Sequence, residues 1–396
     1  MKRIIIAIII MMPCVAIAQK KELGQARACL KSGKDFDKAE KLMTDLLKDE
    51  ANKGNKRIYE TWYEAVAAQY AAANEKLYLK QKYDTAAFYG LIKRMYHITE
   101  ALDSLDARPD EKGRVKPEFR KKHAEEMDRL RRNLYFGGTY HLRKNDYGTA
   151  FGFFDTYIDA ARQPLFTGYD YEKNDTLMAE AGYWATFCGY KAEQPLMTLK
   201  YSELSMKSKD KAAYTLQYMC EAYKMQKDDT HYVATLNKGF SLFPEYAYFF
   251  PRLADYYNKH QQTDSVLVVA NRALEKSPDN QLFLLAKSLA LLQLERYDDC
   301  VAVSEQLLKQ NDSAPEPHFN IATAYLNQAL ELERKNEPRL YKQQLTELYS
   351  KARPYMERYR KLVPTDQKRW APALYRVYLN LNMGKQFEEI DRLMRK

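Results

Sequence analysis

The chain is poor in the residues that make tight turns, staples and reactive centres. Its 396 residues include 14 glycines and 14 prolines, too few for a disordered, low-complexity chain. It has five cysteines and no Cys-x-x-Cys spacing, so neither a zinc site nor a redox pair is indicated. The six histidines, His97, His123, His141, His231, His260 and His318, are scattered. His123-Ala-Glu-Glu-Met lacks the second histidine of a zinc-protease helix. There is no Walker phosphate loop and no Gly-x-Ser-x-Gly elbow. Acidic residues are plentiful, but a carboxylate pair for sugar hydrolysis is defined by a separation in space, not in sequence. The expectation is a non-catalytic protein with no catalytic residue, no metal ligand and no cofactor.

What is abundant is apolar and aromatic: 46% of residues are hydrophobic and 32 are tyrosine. That composition is ample for a packed core. From Ala213 to Ala314 the residue types repeat in three equal, gapless segments, 213–246, 247–280 and 281–314. Slot 8 is small (Cys220, Ala254, Ser288), slot 11 is large (Tyr223, Tyr257, Leu291), and slot 32 stops a helix (Pro244, Pro278, Asp312). A fixed period in this range marks a solenoid.

These residues carry a resemblance to the tetratricopeptide repeat (TPR), and the chain as a whole resembles exported bacterial cell-envelope TPR proteins. Ala247–Asn280 matches best, with Phe250, Leu253, Ala254, Tyr257, Ala273 and Pro278. It departs at slots 20 and 24, where Val266 and Ala270 stand. Small residues at slots 8, 20 and 27 let helices approach closely. Proline at slot 32 ends the second helix. The resemblance implies an all-α, right-handed TPR-like α-solenoid of about eight or nine helical hairpins and roughly one superhelical turn.

The N-terminus has the pattern of a cleavable signal peptide. Lys2 and Arg3 precede the apolar run Ile4–Val15, and Ala16-Ile17-Ala18 is a small-x-small site, so cleavage after Ala18 is expected. The run is too short to span a bilayer. A lipid anchor on Cys14 is the weaker reading, because Pro13 precedes it. The formal charge of +10 falls to +8 without Lys2 and Arg3. In an exported protein that favours anionic envelope surfaces or acidic partners over nucleic acid. A periplasmic or outer-membrane-associated location is therefore expected. Of the four remaining cysteines, only Cys188 and Cys220 are placed to suggest a disulfide.

The chain is read as residues 1–18 signal peptide, 19–176 divergent hairpins and 177–396 regular array with a C-terminal capping helix. Residues 56–104 and the unit from 315 should have long helices, the latter through an insertion around Leu330–Leu345. Gly148 and Gly152, flanking Ala150, suggest a close helix contact. An irregular, aromatic-rich insertion, Gln163–Asn174, contains Phe166, Tyr169 and Tyr171.

In the TPR family the concave groove is lined by first-helix slots 2, 5, 9 and 12. The resemblance therefore implies a peptide- or helix-binding surface that includes Tyr214, Gln217, Glu221, Tyr248, Asp255 and Phe319, with Arg252, Lys259, Asn320 and Asn327 beside it. The unit from 281 offers Leu282, Leu285, Leu289 and Leu292 at these slots, an unusual row for solvent. On this assignment Tyr248→Ala should spare the fold and Tyr257→Ala should loosen it. The function expected is a non-catalytic protein–protein interaction scaffold. The alternative is capture of an envelope glycan or anionic lipid through the tyrosine-rich loop 163–174.

Overall fold

A computed structural model describes residues 19–335 and 339–395. The signal-peptide and Cys14 readings lie outside the described residues. Among those residues there is no strand, and the chain runs as a succession of helices joined by short turns. The chain divides into two compact units, one ending at Tyr232 and one beginning at Val233.

The first unit opens with helix α1 over 19–32 and α2 Phe36–Leu46. They turn through Gly33 and Asp35, at φ 69° and 58°. Ala26, Ala39, Met43 and Leu46 are buried between them. The next hairpin is long, as its apolar period predicts: α3 Lys56–Tyr78 and α4 Thr85–Asp106. Asp84 caps α4 by accepting from the Ala87 amide. Helix α5 Arg120–Arg143 and α6 Tyr147–Asp159 form the third pair. The predicted close contact is present but placed elsewhere. A Cβ on Gly138 would lie 2.7 Å from the Phe154 ring, and one on Gly137 2.8 Å from Phe153. Gly148 faces open space, and Gly152 meets only the Lys93 ammonium. Glycines two residues to either side of Ala150 lie about half a turn away and do not share its buried face.

After the insertion, with its short helix α7 Tyr171–Asn174, comes α8 Met178–Lys191. Its partner is broken into α9 Pro195–Lys200 and α10 Ser202–Ser205. Here a glycine is required: a Cβ on Gly189 would stand 2.3 Å from the Thr198 backbone nitrogen. The regular array follows with α11 Ala212–Met225 and α12 Asp229–Leu242, the helix in which the second unit begins.

Within the second unit the pairs are α13 Phe249–Lys259 with α14 Thr263–Lys276, and α15 Gln281–Gln293 with α16 Tyr297–Gln310. They are followed by α17 Pro315–Arg334 with α18 Lys342–Leu362, and α19 Gln367–Asn380 with α20 Gly384–Met394. The lengthened α17 and α18 fit the expectation. Ile390 is buried on the amphipathic last helix.

The period is visible in the backbone. Helices α12, α14 and α16 begin at 229, 263 and 297, one constant interval that equals the sequence repeat. Slot 15 is left-handed in the four units from 179 to 314: Glu193, Lys227, Gln261 and Glu295 have φ of 54–59°. The next amide reaches back to the carbonyl at slot 11: Asp228 to Tyr223, Gln262 to Tyr257 and Arg296 to Leu291, each at 2.9 Å. This is a Schellman turn, which satisfies carbonyls that a helix end leaves without a partner.

Small slots pack as their size requires. Cys220, Ser288 and Ala322 at slot 8 are fully buried, as is Cys300 at slot 20. Gly239 at slot 27 lies under the Phe249 ring, where a Cβ would approach to 2.3 Å. Cys188 and Cys300 are buried free thiols, Cys220 is buried, and Cys29 is a free, half-buried thiol.

Candidate functional site

In the first unit Tyr214 is exposed on α11, with Gln217 and Glu221 half-buried one and two turns on. In the second unit, α13 presents Asp255 and Lys259 to solvent. Helix α15 presents the leucine row: Leu282 is 48% and Leu289 38% exposed, and Leu285 and Leu292 are half-buried between them. These positions recur at the three- and four-residue steps of one helix face. The opposite face, Phe283, Leu284, Ser288 and Leu291, is buried. Phe283 packs on Phe250 of α13, ring centroids 4.6 Å apart. The slot assignment therefore holds on α15, and the leucine row is an outward, apolar stripe.

Two expected groove residues are packing residues instead. Tyr248 is only 7% exposed, edge-on to Phe249 at 5.4 Å, with the Arg252 guanidinium 3.7 Å above its ring. The start of α13 explains this: slots 1 and 2 precede its first turn, so slot 2 does not take the groove direction of a regular first helix. Arg252 is itself drawn onto that ring and donates to the Tyr248 carbonyl at 3.2 Å. Asn320 is fully buried and donates to the Ser288 hydroxyl at 3.0 Å, which is 2.6 Å from the Ser304 hydroxyl. The Asn320 Oδ1 is buried without a hydrogen-bond partner, and nothing in residue type separates this buried position from that of a groove asparagine.

Phe319 is half-buried beneath Arg369 of α19, whose guanidinium is 3.8 Å from its ring. Arg369 also grips Glu316 with two bonds of 3.0 and 2.9 Å. Asn327 is half-buried further along α17.

The insertion 163–174 is partly core. Phe166 and Tyr171 are buried, and Tyr169 is half-buried against both. Arg131 of α5 organises this fold-back, and no repeat slot points to it. Its guanidinium lies between the Tyr157 and Tyr171 rings, 3.9 Å from each centroid. It pairs with Asp175 and donates to the Tyr157 carbonyl at 3.0 Å. The Tyr157 hydroxyl donates to Asp175 at 2.5 Å, and the Tyr171 hydroxyl to Asp128 at 2.6 Å. Burial opposes ionisation of Asp175, but the bonds from Tyr157 and Arg131 outweigh it and hold its carboxyl below the usual range. The Tyr171 phenol is pushed up by burial and by its bond to Asp128. Beside this knot is an open cavity of about 470 Å³.

Among the described residues no group of three or more His, Cys, Asp or Glu is placed to hold a metal, and no helix is long and apolar enough to cross a membrane.

No protein-family profile and no curated protein matches the chain. Solved structures similar to it are helical-repeat proteins. The C-terminal part of a TPR repeat-containing protein from Cytophaga hutchinsonii is 10% identical, covering 65% of this chain and 92% of that one, with a TM-score of 0.42. YrrB, described as a TPR protein with an unusual peptide-binding site, is 13% identical, covering 50% and 92%, with a TM-score of 0.34. Yeast Tom70 is 13% identical, covering 95% and 84%, with a TM-score of 0.33. At these scores the likeness adds nothing to the paired-helix repeat that the chain's own geometry displays.

Proposed function

We propose that this TPR-type helical-repeat protein is a non-catalytic scaffold that docks an amphipathic helix or extended peptide of a protein partner on the first-helix face of its second unit. One observation carries the reading: the leucine row of α15, with Leu282 and Leu289 exposed while the opposite face of the helix is buried. From Leu282 to Leu292 the row runs roughly 15 Å, the length of about three helical turns. An apolar stripe of that length suits the spaced anchors of a helix laid in a groove. Asp255 and Lys259 on α13 supply polar flanks of both signs. Burial pushes the Cys188 thiol up to about 12 and raises Cys300 as well, which disfavours the reactive thiolate at both.

The test is a Leu282→Glu/Leu289→Glu variant compared with the parent in crosslinking from its native host. The partner should be captured by the parent and lost by the variant, with the melting curve unchanged, because surface changes usually move stability by about 0.5 kcal/mol or less. Equal capture by both proteins removes this surface as the site.

We further propose export with cleavage after Ala18, supported by Lys2, Arg3, the run Ile4–Val15 and Ala16-Ile17-Ala18. An intact mass beginning at Gln19 is expected from the native host. A mass beginning at Met1, or a diacylated species beginning at Cys14, overturns it.

A further inference from the structure

The cavity between α5 and the 163–176 segment belongs to no repeat slot and is remote in sequence from the leucine row. Its volume of about 470 Å³ lies in the range of small-molecule sites, roughly 300–1,000 Å³.

Its walls are of three kinds. The first is an aromatic platform. Tyr169 is tilted against Tyr171 at 5.5 Å and stands edge-on to Phe166 at 5.9 Å, so its ring is fixed in place before any ligand arrives. The second is cationic. Arg129 and Arg132 project from α5 into solvent at the cavity, and neither forms an ion pair among the described residues. The third is small and polar: Asn174 and Thr176, both exposed on the rim.

The charge balance decides the sign of the ligand. Arg131 is buried and neutralised by Asp175. Among the lining residues Asp128 is the remaining acid, and its carboxylate already accepts the Tyr171 hydroxyl; Glu125 acts on Tyr169 from outside the lining. Two solvent-facing guanidinium groups therefore stand against one engaged carboxylate. Guanidinium binds carboxylate and phosphate oxygens through paired donors. An aromatic face beside amide, hydroxyl and carboxylate groups suits a ring with one apolar face and a hydroxylated edge.

We propose that this cavity binds an anionic saccharide. The sugar ring lies on Tyr169, its hydroxyls meet Asn174, Thr176 and Asp128, and its anionic group is held by Arg129 and Arg132. Arg131, Tyr157, Tyr171 and Asp175 also line the cavity, and their mutual bonds hold these groups in place. Carboxylate and phosphate share the chemistry that the two arginines recognise, so the source of the anion is an arm of the test.

The experiment titrates the mature full chain by calorimetry with trigalacturonate, glucose 6-phosphate, maltotriose and inorganic phosphate. At least one acidic sugar should bind, and more tightly than either maltotriose or phosphate alone. Trigalacturonate assigns a uronate ligand, and glucose 6-phosphate assigns a sugar phosphate. Arg129→Gln/Arg132→Gln alters only exposed side chains and should weaken that binding by about tenfold or more, with an unchanged melting curve. Tyr169→Ala should weaken it as well. Raised salt should weaken it in the parent, since solvent-exposed charges are screened. Equal binding of maltotriose overturns the charge argument, and equal binding of phosphate alone overturns the saccharide. No binding of either acidic sugar, or full binding by the double variant, overturns the site.

Discussion

Arg131, in the unit ending at Tyr232, and Ser288, in the unit beginning at Val233, are both buried polar residues on the first helix of a hairpin. Their surroundings differ. Arg131 is held by two rings, a carboxylate and a carbonyl drawn from α6 and the insertion. Ser288 is held by another serine and by Asn320 of the following hairpin. In the regular array each hairpin presents the same small slots to the next, so a hydroxyl is large enough to bridge them. In the irregular region a twelve-residue insertion must be anchored on a face that the period does not supply, and a long cation with several donors does that. The comparison teaches that divergence from a repeat is stabilised by side-chain chemistry, and adherence to it by side-chain size.

Four tests bear on this contrast. The largest effect is expected at Arg131. Arg131→Met leaves the Asp175 carboxylate without its buried cation, and breaking such a pair costs about 3–5 kcal/mol. Denaturant unfolding should show that loss, and Arg131→Met/Asp175→Leu should recover most of it. If the single variant is as stable as the parent, the knot does not hold the insertion.

In the second unit Tyr248→Ala should cost about 3 kcal/mol, as removal of a buried aromatic does. This reverses the sequence-based ranking. Tyr257→Ala removes a half-buried ring and the bond it accepts from Asn237 at 3.0 Å, and should cost less, about 1–2 kcal/mol. Melting curves of the two variants give the order directly.

The third test uses pH. Glu100 of α4 has a buried Oε1 with no hydrogen-bond partner. Burial, and then the nearby Asp159, raise its pKa from 4.5 to about 7. The folded chain thus keeps a proton that the unfolded chain has released. Its contribution is full below about 4.5, falls as pH rises and is gone above about 7. Glu100→Gln should flatten stability between those values, a change of about 2–3 kcal/mol. An unchanged pH profile would show that Glu100 ionises normally.

The smallest effect concerns the Schellman turns. Lys227→Gly and Glu295→Gly place glycine where φ is already 58° and 59°. Each should stabilise by about 0.5–1 kcal/mol, read as a raised melting temperature. A loss of stability would mean that those side chains contribute contacts of their own.

Several features could be read before any coordinates. The period at 213–314, the long hairpin at 56–104 and the lengthened unit after 315 all follow from spacing, whereas spacing left open whether the leucine row faces outward or the slots are off by one. The left-handed slot 15 left no trace in composition, because Glu193, Lys227, Gln261 and Glu295 occupy it without a glycine. Tyr248 and Asn320 were misplaced because slot counting assumes a regular first helix and an exposed amide. The cavity was signalled only by the aromatic insertion, and its arginines lie well upstream of it on α5.

Sequence alone determined that the chain is helical, that its hairpins repeat at a fixed period, and where small residues must sit, since these follow from periodicity and side-chain volume along a chain. Only the tertiary structure decided that Arg131 joins Tyr157, Tyr171 and Asp175, and that Tyr248 turns inward under Arg252. Those contacts join residues by distance in space, and a buried charge or ring takes its place from whatever neighbours can satisfy it.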